Sequence, residues 1–183
     1  MIYLTKMQTP CPLSTKASYD CEIMNSLGQV RFKTEGFWPK NITDRIKGLV
    51  QRYKLEKGLV NLSILHTSAS LTIQENASKH VLSDIKTFLS GLAPESSIYL
   101  HDVEGPDDMP AHIKSGLLPA TLTIPIENGK MTLGTWQGIY LVEHRLSARR
   151  REITACLLLA WCALYRRLGR AELDILIHEL KVS

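Results

Sequence analysis

Several function classes leave characteristic marks on a sequence, and most of those marks are missing here. There is no nucleophile elbow, no phosphate-binding loop and no dinucleotide fingerprint, which argues against the enzymes built on them. The four cysteines, Cys11, Cys21, Cys156 and Cys162, contain no C-x-x-C pair. With no secretory signal at the start, they read as reduced thiols, and the expected location is cytoplasmic. Cys21 and Cys156 have no basic partner beside them, which disfavours a cysteine nucleophile. The longest apolar run, Ile153 to Tyr165, is shorter than the ~20 residues a membrane helix needs. The formal net charge of +4 is too small to point to nucleic acid. Neither a membrane nor a nucleic acid is therefore expected as a partner. Internal repeats, low-complexity tracts and linkers are also missing, so residues 1–183 are expected to form a single domain.

What is present is ordinary globular material. The 183 residues are 44% hydrophobic and 22% charged, enough to bury one core. Pro10 and Pro12 break a polar opening, which reads as a loosely ordered lead-in. From Asn41 to Gly58, Ile42, Ile46, Leu49, Val50 and Tyr53 fall at helical spacing. Val60, Leu62 and Ile64 then alternate with Asn61 and Ser63, predicting a strand that delivers His66 at its end. A second helix is expected from about Ala77 to Ser90, stopped by Gly91 and Pro94, and a short helical turn over His112–Leu118. Asn128-Gly129 is a strong hairpin signal between two further strands. The run from Ile153 fits a buried strand or helix. Strands and helices mix without regular alternation, which predicts α+β with a mainly antiparallel sheet.

Three polar segments are candidates for chemistry. In HTSASLTIQEN (His66–Asn76), His66 is either a ligand or base or a structural histidine, with Thr67, Ser68 and Glu75 as neighbouring polar groups. Asn76 and Ser78 suit helix capping. YLHDVEGPDDMPAHIKSGLL (Tyr99–Leu118) carries His101 and His112 at a spacing that matches no compact zinc signature. A third histidine from another segment would complete a catalytic zinc set, whereas magnesium would prefer Asp102, Glu104, Asp107 and Asp108. The same stretch also fits an acidic loop pinned by prolines. In GTWQGIYLVEHR (Gly134–Arg145), Trp136 and Gln137 either hold a planar ligand or belong to a bulged strand with a core tryptophan. Arg145 and Arg149–Arg151 either neutralise phosphate or form a solvated face.

Taken together, HTSASLTIQEN, HDVEGPDDMPAHIKSGLL, LTIP and GTWQGIYLVEHR, in that order, resemble the YjbQ family, over roughly Ser18 to Ala155. That family is linked to a secondary thiamine-phosphate synthase activity. The resemblance implies a compact α+β fold assembled as a homotrimer. It also implies that His66, Glu75, His101, Asp102, His112, Trp136, Gln137 and Arg145 share one polar pocket. Within it we assign His66, His101 and His112 as metal ligands, and Glu75, Asp102 and Arg145 as catalytic groups. Thr67, Ser68, Trp136 and Gln137 are assigned to the substrate.

The reaction implied by the resemblance joins a pyrimidine diphosphate to a thiazole phosphate and releases pyrophosphate. Such chemistry needs charge neutralisation and positioning more than a covalent nucleophile. The cofactor would be a divalent metal, zinc at the histidines or magnesium with the diphosphate. The alternative is a non-catalytic protein that binds a phosphorylated heterocycle or another anion. The chain departs from the family pattern after Ala155: residues 156–183 replace the usual ending with a tail of partly helical spacing (Leu157, Ala160, Trp161, Leu164). That tail either covers a sheet edge, reshapes the trimer interface or has no function.

Overall fold

The structure, a computed structural model, describes the backbone of residues 4–7 and 21–159 and the side-chain environments of residues 28–158. Its strands are β1 (Leu4–Met7), β2 (Cys21–Lys33), β3 (Pro39–Asn41), β4 (Lys57–Ile64), β5 (Ala69–Glu75), β6 (Thr121–Glu127), β7 (Lys130–Met131), β8 (Gln137–Glu143) and β9 (Arg150–Leu159). Three helices lie between them: α1 (Thr43–Arg52), α2 (Lys79–Leu92) and α3 (Asp108–Leu117). Six strands form one sheet in the order β1-β2-β9-β4-β6-β7, and three form a second in the order β3-β8-β5. Every strand pair among the described residues is antiparallel. The fold is α+β, as the mixture of periodicities predicts.

The core explains why the chain folds this way. Val60, Leu62 and Ile64 of β4 and Ile153, Ala155 and Leu157 of β9 alternate inward. They meet Leu71 of β5, Ile139 and Leu141 of β8, and the Ile42, Ile46 and Val50 stripe at α1. At the start of α1, the Asn41 side chain accepts from Thr43 N at 2.9 Å, and Thr43 Oγ1 accepts from Ile139 N at 2.8 Å. These bonds fasten the helix to β8. The β6–β7 hairpin turns through Asn128 (φ 51°) and Gly129 (φ 73°), the pair of positive φ angles that a tight right-twisting hairpin requires.

Four expectations need adjustment. Residues 4–7 of the opening form a strand paired with Cys21–Met24, so that part of the lead-in is ordered. The segment from Ala69 to Glu75 is a strand paired with β8 along its whole length, although its hydroxyl-rich composition hides the alternation. α3 starts at Asp108, four residues ahead of the predicted turn, because Pro110 falls in the first helical turn, where its missing N–H costs nothing. Leu157 belongs to β9, opposite Val60, so helical spacing is not used there. The readings placed on residues 8–20 and 160–183 lie outside the described residues.

Candidate functional site

The 99–118 stretch folds so that its histidines face each other. α3 places Asp108 and His112 one turn apart on the same side, and the preceding loop brings His101 over them. His101 Nε2 lies 2.8 Å from Asp108 Oδ2, and His112 Nε2 lies 3.7 Å from Asp108 Oδ1. The two imidazoles meet edge to face, 5.4 Å between centroids. One donor atom from each of His101, Asp108 and His112 lies within 4.8 Å of the others.

The protonation of this group is partly set by its surroundings. His112 Nδ1 lies 3.0 Å from the carbonyl of Thr67, which can only accept, so Nδ1 carries a proton and the neutral ring has its lone pair on Nε2, toward the cluster. Asp108 is 2% exposed, yet its Oδ2 makes no hydrogen bond among the described residues despite its closeness to His101 Nε2. A buried carboxylate oxygen and imidazole nitrogens converging without hydrogen bonds fit a shared cation, and a tetrahedral zinc site with bonds of about 2.0–2.2 Å separates its donors by roughly 3.3 Å.

Arg145 holds this carboxylate from behind. Its guanidinium is buried and binds Asp108 Oδ1, Asp107 Oδ2 (3.0 Å) and both the backbone carbonyl (2.8 Å) and side chain (3.4 Å) of Glu104. Leu146 N adds a bond to Asp107 Oδ2 at 2.9 Å. Burial alone would raise the Asp107 pKa, but the Leu146 N–H and the Arg145 guanidinium outweigh it and hold the carboxyl below its usual range.

A second buried network lies next to the first. Glu143, fully buried, takes Arg151 on both oxygens (2.5 and 2.7 Å), Thr34 Oγ1 at 2.8 Å and Arg145 N at 3.0 Å. Burial works against its ionisation, but these donors win and its pKa is lowered. His144 Nε2 lies 2.9 Å from Ser70 Oγ, and burial drives the His144 pKa down to about 4.

The structure thus distributes the predicted residues unevenly. His101 and His112 come together, with Asp108 as the third donor. His66 is elsewhere: its Nε2 accepts from Glu152 N at 2.8 Å, tying the end of β4 to β9, and burial followed by Arg151 lowers its pKa. That lone pair serves the backbone, so His66 is not part of the ligand group. Arg145 is enclosed by carboxylates rather than offered to a substrate. Asp102 is exposed, and its carbonyl accepts from Gly105 N. Thr67 acts through its carbonyl, and Ser68 Oγ accepts from Arg151 at 3.1 Å. Glu75, Trp136 and Gln137 gather at the opposite end of the β5–β8 pair, with Trp136 65% exposed and Gln137 Oε1 accepting from Gly134 N. Six residue steps along β8 separate Gln137 from Glu143, about 20 Å at roughly 3.3 Å per step, so within one chain these residues do not share a pocket with the histidines. The sequence pattern gives Asp108 too little weight and does not point to Glu143; of the two roles open to His144 the structure shows the structural one, and Arg151 serves the buried Glu143 rather than a phosphate or a solvated face. The i,i+4 spacing of Asp108 and His112 is a signal only once α3 is known to begin at Asp108.

Comparison with known proteins decides the relationship. Residues 29–158 match the family model described as UPF0047 protein YjbQ-like. The chain belongs to the YjbQ family. A YjbQ relative, a UPF0047 protein from Salmonella typhimurium, is 47% identical over 116 residues, covering 63% of this chain and 82% of the relative. The YjbQ protein of Escherichia coli O157:H7 is 43% identical over 126 residues, 68% of this chain and 90% of the relative. A crystal structure of a YjbQ/UPF0047 family protein from Clostridium acetobutylicum superposes with a TM-score of 0.66 at 36% identity, covering 70% of this chain and 98% of that one. No helix among the described residues is long and apolar enough to cross a membrane.

Proposed function

We propose that this YjbQ-family chain is an enzyme whose His101, Asp108 and His112 hold a divalent metal and act on a small phosphorylated substrate. One observation carries the reading: the buried Oδ2 of Asp108, which makes no hydrogen bond among the described residues, faces His101 Nε2 at 2.8 Å beside a His112 whose ring is oriented by the Thr67 carbonyl. Two imidazoles and one carboxylate suit zinc or a similar borderline cation better than magnesium. Such an ion would supply Lewis-acid polarisation of a phosphoryl oxygen.

The chain's own residues do the positioning. Arg145, itself held by Asp107, fixes Asp108, Thr67 orients the His112 ring, and the half-exposed His101 leaves the open side facing solvent. The finer reading, suggested by the family resemblance, is thiamine-phosphate synthesis, in which thiazole phosphate displaces pyrophosphate from the pyrimidine diphosphate. The homotrimer implied by the same resemblance would allow Trp136, Gln137 and Glu75 of one copy to reach the metal group of another.

The test uses protein purified without a histidine tag. Metal content and thiamine phosphate formation are measured for wild type, His112→Ala and His66→Ala. Loss of both metal and product in His112→Ala, with the metal kept in His66→Ala, is expected. Stoichiometric binding of the phosphorylated substrates without product would make the chain a binding protein instead, and equal activity in wild type and His112→Ala would sink the site assignment.

A further inference from the structure

The connection that carries Thr67 is held from both of its ends. It joins β4 to β5 over residues 65–68. At the first end, Leu65 N donates to Glu152 O at 3.0 Å, a backbone bond that does not depend on the side chain at 66. At the other, Arg151 Nη2 donates to Ser68 Oγ at 3.1 Å and to Ser68 O at 3.3 Å, and His144 N reaches the same carbonyl at 3.4 Å. The preceding peptide unit presents Thr67 O, the acceptor for His112 Nδ1.

Arg151 joins two partners that a simpler cation could not span. Its Nε and Nη2 take the two oxygens of Glu143, and the same Nη2 also reaches Ser68. The planar guanidinium thereby fixes the Ser68 backbone relative to a carboxylate that is itself fully buried. Glu143 also accepts from Arg145 N at 3.0 Å, and the Arg145 guanidinium grips Asp108. Two of the three donors are therefore referred to one buried carboxylate: His112 through Thr67, Ser68 and Arg151, and Asp108 through Arg145. A buried ion pair is a weak source of net stability, because desolvation cancels much of its attraction. What this pair supplies is geometry, and a metal group needs its donors held to within about 0.5 Å.

We infer that the Glu143–Arg151 ion pair positions the His101–Asp108–His112 group, with Arg151 setting the orientation of the His112 ring through the 67–68 backbone. Among the described hydrogen bonds neither residue touches a donor side chain directly. This role rests on the metal reading for its effect on an ion, whereas its effect on the His112 ring needs no ion.

The experiment compares the untagged full chain with Arg151→Lys, Ser68→Ala and Val60→Ala. Lysine keeps a cation beside Glu143 but loses the fork to Ser68, and Ser68→Ala removes only the hydroxyl acceptor. Val60, buried in β4 opposite Leu157, is a control that lowers stability without touching the network. Zinc dissociation constants are read by chelator competition, and the His112 tautomer by nitrogen NMR of the zinc-free chain at pH 8. Arg151→Lys should weaken zinc about tenfold and Ser68→Ala about threefold, the lower end of what supporting residues contribute. Arg151→Lys should also turn a single Nδ1–H form of His112 into a mixture of tautomers, and Val60→Ala should change neither readout. Wild-type zinc affinity and tautomer in folded Arg151→Lys and Ser68→Ala would overturn the positioning role and leave the metal reading standing. Equal losses in Val60→Ala would overturn it too, since the effect would then be one of general stability. A wild type that binds no zinc would remove the metal reading; a tautomer mixture in Arg151→Lys would still uphold the role of Arg151 at His112, and an unchanged tautomer would end it.

Discussion

One oxygen of Asp108 accepts from Arg145 while the other faces His101, so an amide at this position separates the two tasks. Asp108→Asn keeps an acceptor for the guanidinium but loses the anionic metal ligand. It should fold and lose metal affinity by two or more orders of magnitude, measured by competition with a chelating dye. His144 makes a different prediction. Its imidazole has a pKa of about 4 when buried against an ordinary value of 6.5, so the unfolded chain binds the extra proton first. Stability should be constant above about pH 6.5 and fall as the pH drops toward 4, by at most about 3 kcal/mol for this group. The shift at His66 acts in the same direction, and the lowered carboxylates Asp107 and Glu143 add a further loss at still lower pH. Urea unfolding from pH 8 to 4 checks this; a flat profile would count against a buried neutral His144.

At the scale of elements, β8 and β9 are joined by charge as well as hydrophobic packing. Arg151→Met leaves Glu143 buried without its guanidinium, and denaturant unfolding should show a loss of about 3–5 kcal/mol. Gly36→Ala should cost more than about 1 kcal/mol, since it combines a left-handed φ with a clash against backbone that cannot rotate away. Legibility differed among elements for physical reasons. α1 and the Asn128-Gly129 hairpin were readable because local periodicity and turn chemistry determine them. β2 was not recognised, because its identity as a strand comes from partners at the far end of the chain. The start of α3 was hidden by Pro110, and with it the Asp108–His112 pair. The arginine run read as either a solvated face or a phosphate clamp, yet Arg145 and Arg151 are buried against carboxylates and Arg149 and Arg150 are exposed. Periodicity cannot distinguish these fates; only the distant positions of Asp107, Asp108 and Glu143 do.

For the whole molecule, residue types that the sequence places in three segments separate into two ends of the β5–β8 pair. The histidine end has a self-sufficient donor set, whereas the Trp136 end depends on association for any contact with it. The homotrimer proposed from the family resemblance would give three times the protomer mass by light scattering, and a monomer would leave Trp136 and Gln137 without a role at the metal group. Metal stoichiometry decides whether that group holds an ion. The untagged full chain, stripped with chelator and dialysed against zinc, is analysed by elemental mass spectrometry beside Asp108→Asn and His66→Ala. One zinc per chain is expected in wild type and His66→Ala and none in Asp108→Asn. Zinc retained equally by all three, or by none, would contradict it.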